Sequence, residues 1–196
     1  IQAYLYQKKE WSPYWENSFA PALCNRIDRN TGGIVIAAKT AEGLRVMNQK
    51  IKDRELEKRY LCVIHGTMPQ REGKLEGYLW KDEVKKQVYV RSKPVPGAKT
   101  AVTLYRTLAV RNSLSLVECE LITGRTHQIR AQFSAAGHPL LGDGKYGSER
   151  DNRRYGRHGQ ALYSYRLSFR FTTGAGPLEP LNGRSWQVEE VDFVQE

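Results

Sequence analysis

Residues 121–130 read Leu-Ile-Thr-Gly-Arg-Thr-His-Gln-Ile-Arg, and the pattern of the chain changes twice around that one stretch. Leading into it, Val117, Cys119 and Leu121 alternate with Glu118 and Glu120, the period of two that turns one face of a strand to a core and the other to solvent. Thr123-Gly124 stops the strand. Beyond it, Ile129, Phe133 and Ala136 fall on one face of a helix that Gly137 ends. The stretch therefore predicts a strand, a tight turn and a helix whose first turn is crowded with polar groups. Helix starts attract anions through free amide donors, and Arg125 and Arg130 add to that pull. Solvated helix charges are the competing reading for both arginines, and His127 reads first as a structural hydrogen-bonding group rather than a general base.

Working outward, GIVIAAK at 33–39 is a β-branched apolar run entered from a Thr31-Gly32-Gly33 turn, which predicts a buried strand inside a sheet. Thr40 can cap a following helix on which Leu44, Met47 and Ile51 recur at helical spacing, with charge at 54–58 near its end. YLCVIH at 60–65 returns as a strand, and further strands are predicted at 87–91, 100–108 and 162–171. Loose stretches fall at 94–97, 142–157 and 174–183. With no repeat or low-complexity tract, residues 1–196 read as a single domain. Strands outnumber helices and several connections are too short for a crossover helix. The fold class is therefore α+β, with a mixed, largely antiparallel sheet and flanking helices.

The 196 residues carry 31 Lys and Arg against 21 Asp and Glu, a formal net charge of +10. A chain of this length buries roughly 70% of its extended surface without staples. Its basic excess suggests an anionic polymer partner, nucleic acid before a membrane surface. The longest uncharged apolar stretch, GGIVIAA at 32–38, is far below the roughly 18 residues of a membrane span, and Lys8, Lys9 and Glu10 interrupt any signal-like start. A cytoplasmic monomer with no membrane association is the expectation. Cys24, Cys62 and Cys119 form neither a disulfide framework nor a zinc knuckle and read as buried thiols. The chain opens with Ile rather than Met, which suggests a processed protein or an excised piece of a longer one.

A second cluster, Asn25-Arg26-Ile27-Asp28-Arg29-Asn30-Thr31-Gly32-Gly33, sets a carboxylate between two arginines ahead of the apolar run. Taken alone, an Asp before Asn-Thr-Gly is a turn former, its side chain satisfying nearby backbone donors.

Together the two clusters resemble the RluA-type pseudouridine synthases. That family's pattern runs His-Arg-Leu-Asp, Thr-Ser-Gly, an apolar strand ending Ala-Lys, and a Lys-x-Tyr-Leu strand. Much later come Thr-Gly-Arg-Thr-His-Gln-Ile-Arg, Gly-His-Pro-x-x-Gly-Asp and Tyr-Gly. Here stand, in order, Arg26-Ile27-Asp28, Thr31-Gly32-Gly33, Ala38-Lys39, Lys58-Arg59-Tyr60-Leu61, Thr123 to Arg130, Gly137-His138-Pro139, Gly142-Asp143 and Tyr146-Gly147, so the likeness spans about residues 23 to 172. Asn25 replaces the family's usual His and Gly32 its usual Ser. The Asn-Lys-Pro strand that normally precedes the aspartate, often behind a small RNA-binding domain, is not found in residues 1–22.

The resemblance implies conversion of uridine to pseudouridine in structured RNA, ribosomal first and transfer RNA second, with no metal or other cofactor. It assigns Asp28 as the carboxylate that attacks the base or sugar, or removes a sugar proton to give a glycal. A buried aspartate would tend to take up a proton, so a guanidinium counterion is expected, and the resemblance gives that part to Arg130. Tyr60 would present its ring to the base and Ile129 would pack on the opposite face. For both, a place in the core is the competing reading. A stacked base must be extruded first, at a cost of a few kcal/mol. Arg26 is the candidate to fill the vacated space, with Arg29, Lys39, Lys58 and Arg125 as phosphate contacts and the basic stretch at 150–157 as a further RNA contact or a mobile loop. The alternatives are a non-catalytic RNA-binding module that keeps the fold, and a metal-dependent nuclease, which needs clustered carboxylates or histidines that the motifs lack.

Overall fold

The computed structural model describes residues 1–15 and 19–194. Helices are α1 (Gln2–Gln7), α2 (Ala41–Lys52), α3 (Gln128–Ala135) and α4 (Glu149–Arg154). Strands are β1 (Ala22–Leu23), β2 (Gly32–Gly33), β3 (Ala37–Ala38), β4 (Leu56–His65), β5 (Glu72–Asp82), β6 (Gln87–Arg91), β7 (Lys99–Arg111), β8 (Leu114–Leu121), β9 (Leu162–Phe169) and β10 (Ser185–Gln187). The main sheet has the order β10-β9-β4-β8-β7-β5-β6, antiparallel throughout, with β2 added parallel to β9. The α+β architecture with a mixed, largely antiparallel sheet is thus as the sequence predicts.

Alternation along the central strands decides what covers each face. Tyr60, Cys62 and Ile64 of β4 and Val117 and Cys119 of β8 point to one side, where Ile129 and Phe133 of α3 close a core. Leu61 and Val63 point to the other, against Tyr165, Val191 and Phe193. The acidic residues that alternate with that core are used as well: Arg59 lies 2.8 Å from Glu118 and 3.2 Å from Glu120 on the face shared with Leu61 and Val63. β7 and β8 are joined through Asn112 and Ser113, both at positive φ (50° and 62°), as a two-residue hairpin with right-handed strand twist requires.

Three sequence expectations are corrected. The run at 33–39 is not a buried strand: only Gly32–Gly33 and Ala37–Ala38 pair, and Val35 is 44% exposed. Gly33 sits at φ +113, a value that breaks regular extension, and its backbone lies so close to Ser164 that a Cβ there would fall 2.2 Å from the Ser164 carbonyl oxygen. The run therefore crosses the end of the sheet, with Ile34 and Ile36 packed on the α2 core. The stretches at 142–157 and 174–183 are not loose, since they hold α4 and a 3₁₀ turn at Gly176–Leu181. The charge at 54–58 does lie near a helix end. α2 ends at Lys52, and β4 has begun by Leu56. Thr40 does cap α2, its Oγ1 accepting from the Gly43 N–H at 3.0 Å. Cys62 and Cys119 are buried free thiols, whereas Cys24 is only half-buried.

One charged pair lies inside this frame. Lys50 of α2 and Glu55, 2% and 5% exposed, meet at 2.7 Å. The bond from Lys50, then the hydroxyl of Thr172, outweigh burial and hold the Glu55 carboxyl down at about 2 against an ordinary 4.5. A depressed carboxyl pKa stabilises the fold fully above the unfolded value and loses that effect as pH falls toward the folded one. The stability difference between the parent and Glu55→Gln, measured by urea unfolding, is expected to be constant above about pH 4.5. It should shrink between there and pH 2. A pH-independent difference would rule this out. Among the described residues no helix is long and apolar enough to cross a membrane.

Candidate active site

The first turn of α3 is bolted to the sheet by its polar residues. Gln128 is buried and makes four hydrogen bonds: its Oε1 accepts from Thr123 Oγ1 (2.8 Å) and the Arg125 N–H (3.0 Å), and its Nε2 donates to the Val102 carbonyl (3.0 Å) and Thr103 Oγ1 (2.8 Å). One turn on, Gln132 Nε2 donates to the Leu75 and Ala101 carbonyls. A fully satisfied buried network of this kind fixes a helix start in one position. The anions that Arg130 holds are side-chain carboxylates of the chain itself, because Arg130 turns inward.

Arg130 is 8% exposed and spends three donors on two carboxylates. Nε and Nη2 grip Asp143 at 2.7 and 2.9 Å, and Nη1 reaches Asp28 Oδ2 at 3.3 Å. The ring of Tyr146 lies 5.1 Å from the guanidinium carbon. Asp143 is wholly buried, and its Oδ1 also accepts from the backbone N–H of Lys145 and Tyr146 at 2.9 and 3.1 Å. Burial alone would raise the Asp143 carboxyl, but the bonds and charge of Arg130 outweigh it and hold it below the usual carboxylate range. Burial likewise disfavours the charged guanidinium, and Asp143 and then Asp28 reverse that. Gripped from both sides, the middle member of the trio cannot rotate.

Asp28 reaches this cluster from a loop closed by its main chain. The Thr31 N–H donates to the Asp28 carbonyl at 3.0 Å, and Gln160 holds the Arg29 carbonyl and Thr31 Oγ1. The turn-former reading of the Asp28 side chain is therefore overturned: its carboxylate accepts from Arg130, and the backbone closes the turn. The two departures from the expected motif have local reasons. Asn25 Oδ1 accepts from the Ile36 N–H at 2.7 Å, and a side chain at Gly32 would collide with the Tyr163 ring at 2.5 Å.

Asp28, 20% exposed, borders a cavity of about 300 Å³ whose walls include Arg26, Lys58, Tyr60, Arg125 and Ile129. The register between β4 and β9 shifts between Arg59 and Tyr60, a bulge that aims Tyr60 at this space. Burial, offset by a hydrogen bond with Ser164 and reinforced by Asp28, raises the Tyr60 hydroxyl, so it stays protonated at neutral pH. Both Tyr60 and Ile129 are core residues as well as cavity walls, so their two sequence readings hold together. Lys58 has no ion-pair partner among the described residues, and burial pushes its ammonium below the usual lysine range. Arg29 lines a separate, larger cavity, and Lys39 is paired with Glu10 at 2.8 Å and lines neither. The sequence alone assigns no role to Asp143 or Tyr146, although Gly142-Asp143 and Tyr146-Gly147 stand in the motif, and it reads His127 as a structural hydrogen-bonding group. His127 Nδ1 lies 2.8 Å from the Tyr146 hydroxyl, and burial, with the charges of Arg130 and Lys145 opposing Asp28, keeps the imidazole below its ordinary value. Among the described residues no three His, Cys, Asp or Glu side chains are grouped to hold a metal ion. A carboxylate held through Oδ2 by Arg130, beside an apolar wall and an aromatic ring, can act as nucleophile or base.

The chain matches the family described as RNA pseudouridylate synthase over residues 2–135. It is 39% identical over 157 residues to an uncharacterised RNA pseudouridine synthase of Mycoplasma genitalium, covering 78% of this chain and 48% of that protein. It is 32% identical over 181 residues to ribosomal large subunit pseudouridine synthase D of Zymomonas mobilis, covering 90% and 52%. The chain thus spans about half the length of the curated relatives it matches. Among solved structures, human RNA pseudouridylate synthase domain containing 4 aligns with a TM-score of 0.70 at 22% identity, covering 91% of this chain and 74% of that one, a likeness of fold.

Proposed function

Because the chain belongs to the RNA pseudouridylate synthase family, we propose that it isomerises uridine to pseudouridine in RNA through the carboxylate of Asp28. One observation carries the reading: Asp28 and Arg130, 102 residues apart in sequence, meet at 3.3 Å beside a cavity walled by Tyr60 and Ile129.

In this reaction the bond between sugar C1′ and uracil N1 breaks, the base turns while held, and C1′ joins C5. The C5 hydrogen leaves as a proton and N1 takes one up, so atoms balance without any redox partner. Asp28 starts the cleavage, by attack or by removing a sugar proton. Arg130 supplies the opposite charge, fixed by Asp143 so that the carboxylate keeps its aim. Tyr60 stacks on the detached base and Ile129 packs on its other face, which retains it and excludes water. Arg26 stands at the rim to replace the extruded base, and Lys58 and Arg125 face the neighbouring phosphates.

Large-subunit ribosomal RNA is the first substrate to test, since one relative of matching sequence is named for it. Pseudouridine would be mapped in ribosomal and transfer RNA from cells with and without the gene for the full-length protein. A ribosomal site lost on deletion supports the reading, and a site lost from transfer RNA alone moves the substrate. Unchanged maps together with retained RNA binding would favour a non-catalytic module.

A further inference from the structure

Behind the Asp28–Arg130 pair lies a second cavity, of about 650 Å³, to which the reaction above assigns nothing. Its floor and walls come mostly from the segment between α3 and β9, which includes the basic stretch at 150–157. Lining residues include Arg29, His127, Lys145, Arg153, Arg157 and His158. Apart from glycines, every residue around it is polar or charged, so it offers no aliphatic wall to an apolar ligand. Arg130, at the shared wall, is neutralised by its two carboxylates, and Glu149 is the one acidic lining residue.

Two of its cations are uncommitted, while Lys145 donates to the Lys86 carbonyl. Arg29 and Arg153 have no carboxylate partner among the described residues. Arg157 pairs through Nη2 with Asp192 at 2.9 Å but keeps Nε buried with no acceptor. The segment itself is held in place: Asn152 is buried and its Oδ1 accepts from the Gly142 N–H at 2.8 Å, and a Cβ at Gly142 would fall 2.1 Å from the Gly159 carbonyl oxygen. The two cavities meet at Asp28-Arg29 and at His127, so a chain that delivers a base to the smaller one has the larger within reach of its adjoining backbone.

We infer that this cavity seats the phosphodiester backbone on one side of the extruded uridine, as a second RNA-binding surface built by the segment at 142–160. The inference rests on the RNA-modifying reading. Its test is filter binding of unmodified, in vitro transcribed large-subunit ribosomal RNA between 50 and 200 mM KCl. The parent protein would be compared with Arg153→Gln, Arg29→Gln/Arg153→Gln and a charge-matched control, Lys74→Gln/Lys81→Gln, whose lysines on β5 line neither cavity. Each phosphate that a cation no longer neutralises makes the slope of log affinity against log salt shallower by roughly 0.7–0.9. The cavity double variant is expected to flatten that slope by about twice this amount and to weaken binding by at least about tenfold, with Arg153→Gln midway and the control like the parent. A cavity variant that behaves like the control overturns the inference while leaving the uridine chemistry standing. If the parent binds neither this RNA nor any cellular RNA, the functional reading falls, and the inference with it.

Discussion

Asp143→Ala is expected to destabilise the fold by about 3–5 kcal/mol, the usual cost of leaving one member of a buried ion pair without its partner. Asp143 is wholly buried, and its removal strands Arg130 with a single, longer bond to a carboxylate that is itself 20% exposed. For a domain whose net stability is about 5–15 kcal/mol, that loss is severe and would appear directly in a urea midpoint. Replacing both charges by apolar groups removes the stranded cation, so Arg130→Met/Asp143→Ala should recover much of the stability. The double variant should still fail to turn over, because Asp28 has lost its cation. Recovery of fold without activity separates the pair's part in packing from its part in aiming the carboxylate. A cost below about 1 kcal/mol for Asp143→Ala would mean that the bidentate grip is not what holds Arg130.

The parts of this molecule that are legible in the sequence are those where local pattern and tertiary burial agree. β4, β6, β7, β8 and β9 carry β-branched or alternating runs, and the Thr40 cap and the Gly137 stop bracket their helices. β5 escapes because its period-two signal is carried by glycine and charge. Gly73 lies under the Tyr105 ring, where a Cβ would fall 2.7 Å from the hydroxyl, while Lys74 and Glu76 face outward. The run at 33–39 misleads for the opposite reason. It is apolar enough for a strand, but its residues serve the α2 core one side chain at a time as the chain crosses the sheet end.

The site divides in the same way. Motif order brings forward Asp28, Tyr60, Ile129 and Arg130, and the fold gathers all four around one cavity edge. Nothing in residue spacing tells a solvated arginine from one locked in place. That distinction depends on Asp143, 13 residues further along and reached only through the turn after α3. Gln128 likewise shows its part only once its four partners, two on β7 and two in the turn before α3, are in view. Lys39 stands among the phosphate-binding candidates by its motif position, yet the chain turns it toward Glu10.

The central claim is that the Asp28 carboxylate carries the reaction. Its most direct measurement is tritium release from RNA labelled at uracil C5, compared between the parent and Asp28→Asn. Asparagine keeps the shape and an oxygen acceptor for the Arg130 Nη1 donor but can neither attack nor take a proton. The fold should change by no more than about 1 kcal/mol, since Arg130 retains Asp143. RNA binding should persist, and release should fall by at least about 10³-fold. Release from Asp28→Asn at a rate near the parent's would contradict the account, whatever else in the cavity proved correct.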